Sequence, residues 1–269
     1  MKRRDSEQKH LYADEVFNSL KIFDIQGLLK EGNAYKCGIE VYQVPDFNSI
    51  SFSGLNSEYE YARYSFCKQL SIPYYIIIVS ESTRKYRRYK VEYSNSSLSY
   101  LLETELTEND FVKWWRDKQS FTQTKAMYNA KSRISDSLID NLLFANSLAW
   151  GVNIDGFSID ENTGKVNALY EKRICNTPRT VINYDPNTYF FYRGGDFPSW
   201  NILFELAKKM NVALILFTFD SVTVKGIGAT RILNVNAQSG LSYKSNIKPF
   251  ENLFTGNYAG LNLWLSQNL

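Results

Sequence analysis

Histidine is nearly absent from this chain. His10 is the only one in 269 residues, and it lies close to a charged N-terminal run. A His-Cys zinc site, a His-Glu-x-x-His protease, a serine triad and a His-based nuclease all need histidines that the sequence lacks. Cysteine is scarce as well. Cys37, Cys67 and Cys175 are odd in number, far apart and never in a CxxC pair. That disfavours a disulfide framework or a zinc clip and fits a reducing cytosol. No apolar signal core follows Met1-Lys2-Arg3-Arg4-Asp5, so a cytoplasmic location is expected. Long hydrophobic runs are missing too. The longest, Tyr74 to Val79, is far short of the roughly 20 residues of a membrane helix, so no membrane partner is expected. Neither sign of charge dominates: 31 Lys and Arg against 28 Asp and Glu leave +3, too little by itself to announce a nucleic-acid binder.

Aromatic residues are plentiful. They make up 15% of the chain, with 19 Tyr, 17 Phe and 5 Trp, enough for a sizeable core. The length allows one large domain or two small ones. Helical spacing marks 8–22, a strand-like pair covers 23–29 and 37–44, and 57–70 is an amphipathic helix begun by a Ser cap. Pro73 stops that helix, and Tyr74 to Ser80 (YYIIIVS) has the apolar continuity of a strand buried on both faces. Tyr89 to Tyr93 suggests a further strand, and Thr107 caps a helix carrying Phe111, Trp114 and Trp115. The order then recurs: a helix over 135–150, strands over 152–159 and 166–174, a helix over 196–210 with Pro198 in its first turn, and a buried strand over 212–219. Asp24 to Glu40 spans 16 residues, as does Asp155 to Glu171. We read two copies of one α/β unit, 1–120 and 121–269, each a mixed central sheet flanked by helices.

Chemistry concentrates in the second copy. Asp155 on one strand of a hairpin and Glu171 on its partner can set two carboxylates side by side. Such a pair binds Mg²⁺ through hard oxygen ligands and leaves positions open for a phosphate and a water. A neighbouring cation can neutralise charge growing on the phosphate. The helix, the hairpin, the strand ending in Glu171-Lys172-Arg173, the next helix and the buried strand together resemble the PD-(D/E)XK nuclease superfamily, of restriction-endonuclease-like fold, over roughly 135–220. The resemblance implies a Mg²⁺-dependent endonuclease of restriction or mobile-element type acting on DNA. It implies Asp155 and Glu171 as metal ligands, Lys172 as the catalytic lysine, and Asp140 or Asp136 on the preceding helix as a further ligand.

One departure stands out. The family pattern is Glu-x-Lys, whereas Glu171 and Lys172 are adjacent and on a regular strand point to opposite faces. Either a β-bulge brings Lys172 round, or Arg173 replaces the lysine as Glu-x-Arg, or the site is inactive. Arginine can stabilise a phosphate but cannot readily release a proton. The first copy looks degenerate: Glu40 is present, Tyr42 occupies the lysine position, and Gly27 and Gly156 allow Gln26 to align with Asp155. A cation is missing there on either alignment. For nucleic-acid contacts the densest run is Arg84-Lys85-Tyr86-Arg87-Arg88-Tyr89-Lys90, whose cations could follow a phosphate backbone. A solvated hairpin flank is the plain alternative. Lys125, Lys131 and Arg133 add a second stretch, and Arg179 and Arg193 lie in a long loop-like insertion, 176–195. A homodimer is allowed. The alternative function is a non-catalytic nucleic-acid-binding or assembly protein that keeps a degenerate nuclease-like fold.

Overall fold

The computed structural model describes residues 1–4, 11–120, 137–175, 181, 184–187, 196–220, 226–244, 248–250 and 259–269. In the first part of the chain the elements are β1 (Lys2–Arg3), α1 (Leu11–Ser19), β2 (Phe23–Glu31), β3 (Ala34–Val44), α2 (Ser57–Gln69), β4 (Tyr74–Ser80), β5 (Tyr86–Ser94), β6 (Ser97–Leu106) and α3 (Glu108–Lys118). The second part contains α4 (Leu138–Ala145), β7 (Val152–Ile159), β8 (Val166–Cys175), α5 (Asp196–Met210), β9 (Ala213–Asp220), β10 (Ile227–Asn236), β11 (Gly240–Tyr243), β12 (Lys248–Phe250) and α6 (Ala259–Asn268).

Two compact units result, and they do not follow the expected division at residue 120. Met1–Lys9 with Ile25–Asn153 make the first, and His10–Asp24 with Ile154–Leu269 make the second. Helix α1, from the first half of the sequence, therefore belongs to the second unit. Helix α4, from the second half, belongs to the first. An amphipathic stripe dictates that a helix must cover a sheet, but not which sheet.

In the first unit β2 to β6 are neighbours in sequence order. β3 runs parallel to β4 across the α2 connection, and the other pairs are antiparallel. Helices cover both faces of β4, which explains its apolar run. Alternation along β3 sorts its side chains. Cys37, Ile39 and Val41 join Ile77, Val79, Phe111, Trp115, Ile139 and Leu143 in a core under α3 and α4. Glu40 and Tyr42 turn the other way, towards α2. The cap of α2 is Asn56 rather than Ser57, its side chain accepting from Glu58 N at 3.0 Å and Tyr59 N at 3.4 Å. Thr107 caps α3 as expected. The chain start adds a short strand, with Arg3 opposite Tyr42.

In the second unit β7 and β8 are antiparallel, β8 and β9 are parallel across the α5 connection, and β10 is antiparallel to β9, β11 and β12. Helices α1 and α6 share one face, where Ala13, Val16, Phe17, Leu261 and Leu265 pack on Tyr170, Ile215 and Phe217. Helix α5 covers the opposite face. The turn after β7 forms as its composition implies: Asp160 Oδ1 accepts from Thr163 N at 2.7 Å, and Gly164 takes φ 67°. Strand, antiparallel strand, helix, parallel strand thus occurs twice, as β2-β3-α2-β4 and β7-β8-α5-β9. No helix among the described residues is long and apolar enough to cross a membrane.

Candidate active site

The β7–β8 hairpin builds the second-unit site. Gly156 pairs with Tyr170. Its glycine identity follows from crowding on the α1 face, where a Cβ would lie 2.6 Å from Ile22 Cγ2 and 2.9 Å from Phe17 Cε2. Continuing this antiparallel register by one residue sets Asp155 opposite Glu171, both on the face away from α1. Asp155 Oδ2 accepts the Lys172 main-chain N–H at 3.2 Å. Asp155 keeps partial solvent exposure, yet desolvation raises its carboxyl above the ordinary range. Lys172 and Arg173 oppose that rise, and Asp24 adds to it. Glu171 is 9% exposed and pairs with Arg173, Nη2 to Oε1 at 3.0 Å. The Arg173 guanidinium lies 5.5 Å from the Trp200 ring on α5.

Strand register sorts the two cations onto opposite faces. β8 pairs with β9 without a shift, Glu171 with Leu216, Lys172 with Phe217 and Arg173 with Thr218. No bulge brings Lys172 round to the carboxylates. Its ammonium goes to the α1 face, 3.1 Å from Asp14 Oδ1 and 5.6 Å from the Phe17 ring centre. The cation paired with Glu171 is Arg173, in a Glu-x-Arg arrangement, while both cations act on Asp155, Lys172 more strongly.

The first unit repeats this hairpin with different chemistry. Gly27 pairs with Ile39, so the same one-residue extension sets Gln26 opposite Glu40. Gln26 Oε1 accepts the Val41 N–H at 2.6 Å, the contact that Asp155 makes with Lys172. Gln26, not Asp24, is therefore the counterpart of Asp155, and the equal 16-residue spacings do not mark equivalent pairs. Nor is a cation missing. Arg3 Nε lies 2.6 Å from Glu40 Oε2, and Arg63 Nε lies 3.4 Å from Glu40 Oε1. Arg63 Nη1 also reaches Glu60 Oε1 at 2.7 Å, and the Tyr42 and Tyr74 hydroxyls donate to the same Glu60 carboxylate. Glu40, Glu60 and Arg63 are all buried. Burial first, then the Glu60 charge, pushes both phenols well up.

Asp140 lies on α4 in the first unit. Arg4 Nε bonds both its oxygens, at 3.0 and 2.9 Å, and the Arg4 guanidinium stacks 3.6 Å from the Trp150 ring centre. Within the second unit, α1 lies on the other face of the hairpin, where its Asp14 meets Lys172. Asp136, Lys125, Lys131, Arg133, Arg179 and Arg193 lie outside the described residues. The basic run forms β5 and its approach, but carboxylates answer its cations. Lys85 and Arg87 reach Glu105 at 2.8 and 2.9 Å, Arg88 reaches Glu103 at 3.0 Å and Lys90 reaches Glu92 at 2.7 Å. Arg84 is 3.9 Å from Glu108. The interleaved Tyr86 and Tyr89 are buried, Tyr86 stacked on Phe111, so they are core rather than a platform for bases.

Sequence reasoning missed Asp14, Arg3, Glu60 and Arg63. A Glu-x-x-Arg pair on an amphipathic helix is indistinguishable by pattern from a solvated face. Among the described residues no group of three or more His, Cys, Asp and Glu side chains forms a metal cluster. Acids on neighbouring strands, as Asp155 and Glu171 are, belong to the residue type that suits Mg²⁺, which commonly takes one or two protein carboxylates and keeps waters or phosphate oxygens elsewhere. The raised Asp155 carboxyl fits too, since a cation would favour its ionised form. No protein-family model matches the chain, and neither does any curated protein or solved structure.

Proposed function

We propose that this protein is a Mg²⁺-dependent endonuclease that cleaves DNA phosphodiester bonds, of restriction or mobile-element type. In this reading both units have restriction-endonuclease-like architecture, the second is catalytic and the first is a non-catalytic copy. What supports it is the Gly156–Tyr170 pair of β7 and β8, whose continuation by one residue would bring Asp155 opposite Glu171, together with the Arg173 ion pair to Glu171. Asp155 and Glu171 would hold the metal. Bound Mg²⁺ supplies Lewis-acid polarisation of the phosphate and of a water. Arg173 neutralises charge developing on the phosphate and, being permanently protonated, takes no proton from the nucleophile. Lys172, on the other face, has no part in the chemistry. The three buried thiols accord with a reducing, cytoplasmic setting.

A second reading has its own support. Arg173 closes on Glu171 at 3.0 Å, and in the first unit the corresponding Glu40 is buried and paired with Arg3 and Arg63. A non-catalytic nucleic-acid-binding or assembly protein would follow if Arg173 plays the same role as Arg3 and Arg63. Calorimetric titration with Mg²⁺, alongside nicking of supercoiled plasmid, separates the two. The nuclease reading requires a saturable metal site lost in Asp155→Asn and Glu171→Gln, together with cleavage lost in the same variants. Absence of both in the wild-type protein rejects it.

A further inference from the structure

Strand β6 ends the first unit's sheet, and among the described residues no strand pairs with its outer side. An open edge presents main-chain N–H and C=O groups to any passing strand, and proteins guard such edges with charge, proline or a bulge. Only half of β6 is guarded. Its register with β5 slips so that Glu103 is an extra residue between Leu102 and Thr104, and Glu103 and Glu105 put charge in the same half. The other half, Ser97-Leu98-Ser99-Tyr100-Leu101-Leu102, contains no charge, proline or bulge. Leu101 and Leu102 are 48% and 51% exposed and point to opposite faces.

We infer that this half-strand pairs antiparallel with the same half-strand of a second copy of the chain, about a twofold axis at Tyr100. The boundaries select that register. The tight turn at Asn95 and Ser96, both with positive φ, ends the strand on one side, and the bulge at Glu103 ends it on the other. Centred on Tyr100, Leu98 meets Leu102 of the second copy, Ser99 meets Leu101, and Glu103 meets Ser97. No carboxylate faces a carboxylate, and apolar side chains continue across the junction on the face of Leu98, Tyr100 and Leu102. A register centred on Glu103 would oppose two acids and two bulges. The flanking acids are already answered within their own hairpin by Arg88, Arg87 and Lys85, so they do not repel the second copy. An uncharged, self-complementary edge favours its own copy over a charged partner. So short a ladder gives weak, concentration-dependent association. The inference does not depend on the catalytic reading.

Sedimentation velocity of the full chain tests it. The wild-type protein should shift from one to two chain masses with rising concentration. Ser99→Lys with Leu101→Lys opposes like charges at both paired positions and should remain monomeric. Ser99→Lys with Leu101→Glu opposes unlike charges in this register and should restore the dimer. If the double-lysine variant does not fold, single variants Ser99→Cys and Leu101→Cys decide the matter. Mixed under oxidising conditions they should form a disulfide between the two variants, and neither should cross-link alone to the same extent. A wild-type protein monomeric up to its solubility limit, equal cross-linking in unmixed samples, or a double-lysine variant that dimerises like wild type would each overturn the inference.

Discussion

The main-chain N–H of Lys172 donates to Asp155 Oδ2 at 3.2 Å, while the Lys172 ammonium turns away to Asp14 on the opposite face of the strand. One residue thus holds Asp155 through its backbone while its side chain pairs across the other face. The consequences for both residues can be measured.

Asp155→Asn should abolish Mg²⁺ binding and plasmid cleavage while leaving the fold intact. The first unit shows that an amide serves the same structural purpose, since Gln26 Oε1 accepts the Val41 N–H there. The change in unfolding free energy should stay within about 1 kcal/mol of wild type. Calorimetry and denaturant unfolding of the same sample give both numbers.

The raised Asp155 carboxyl sets a pH dependence whose sign is fixed. A carboxyl whose folded pKa exceeds its unfolded value, 3.8, binds its proton more tightly in the folded state. That favours folding fully below 3.8, and the benefit disappears as pH rises through the raised folded value. In metal-free buffer Asp155→Asn should therefore gain stability relative to wild type across that window. Added Mg²⁺ should stabilise only the wild-type protein, with proton release on binding. Thermal melts from pH 3 upwards, with and without metal, would expose an opposite trend.

Arg173→Met should lower kcat by about 10²–10³, the scale for losing a charge-stabilising group. Lys172→Met should leave kcat within a few-fold of wild type and cost about 0.5–1 kcal/mol of stability, because its ion pair with Asp14 is partly exposed. A larger kinetic effect from Lys172 than from Arg173 would reverse these assignments.

Arg63→Met should cost about 3–5 kcal/mol, because it leaves Glu40 and Glu60 buried with one guanidinium fewer. Catalysis by the second unit should persist in whatever fraction remains folded. Equilibrium denaturation measures the first effect, and active-site titration the second.

Expressed separately, fragments 1–120 and 121–269 should each fail to fold, and mixing them should recover structure. The first lacks Ile139 and Leu143, which its sheet buries, and the second lacks Ala13, Val16 and Phe17. Circular dichroism of the fragments before and after mixing would show whether either stands alone.

Local chemistry was legible in the sequence. Tyr74 to Ser80 declared a doubly covered strand, Thr107 a helix start, and Asp160 to Gly164 a turn, because each depends on neighbouring residues only. The Asp155 and Glu171 hairpin was legible for the same reason. Adjacent Glu171 and Lys172 left open which cation shares a face with Glu171, and the unshifted β8–β9 register gives that place to Arg173. Partners distant along the chain were not legible. Arg3 meets Glu40, and α1 and α4 cover sheets from the opposite halves, through tertiary placement that no periodicity encodes. β6 escaped because the alternation of Ser97 to Tyr100 breaks at Leu101 and Leu102. It is an edge, and its bulge breaks the period of two.

The exchanged helices also constrain the order of events on the ribosome. The first unit can close only after α4 has been translated, although most of its strands precede that helix by many residues. Helix α1 waits long for its partner, because Ala213 to Asp220, the strand its aromatic face packs on, comes nearly two hundred residues later. At roughly 5–20 residues per second the wait lasts on the order of ten seconds or more. Throughout it Tyr12, Val16 and Phe17 have no sheet to cover, so this helix stays open to misassociation in the nascent chain.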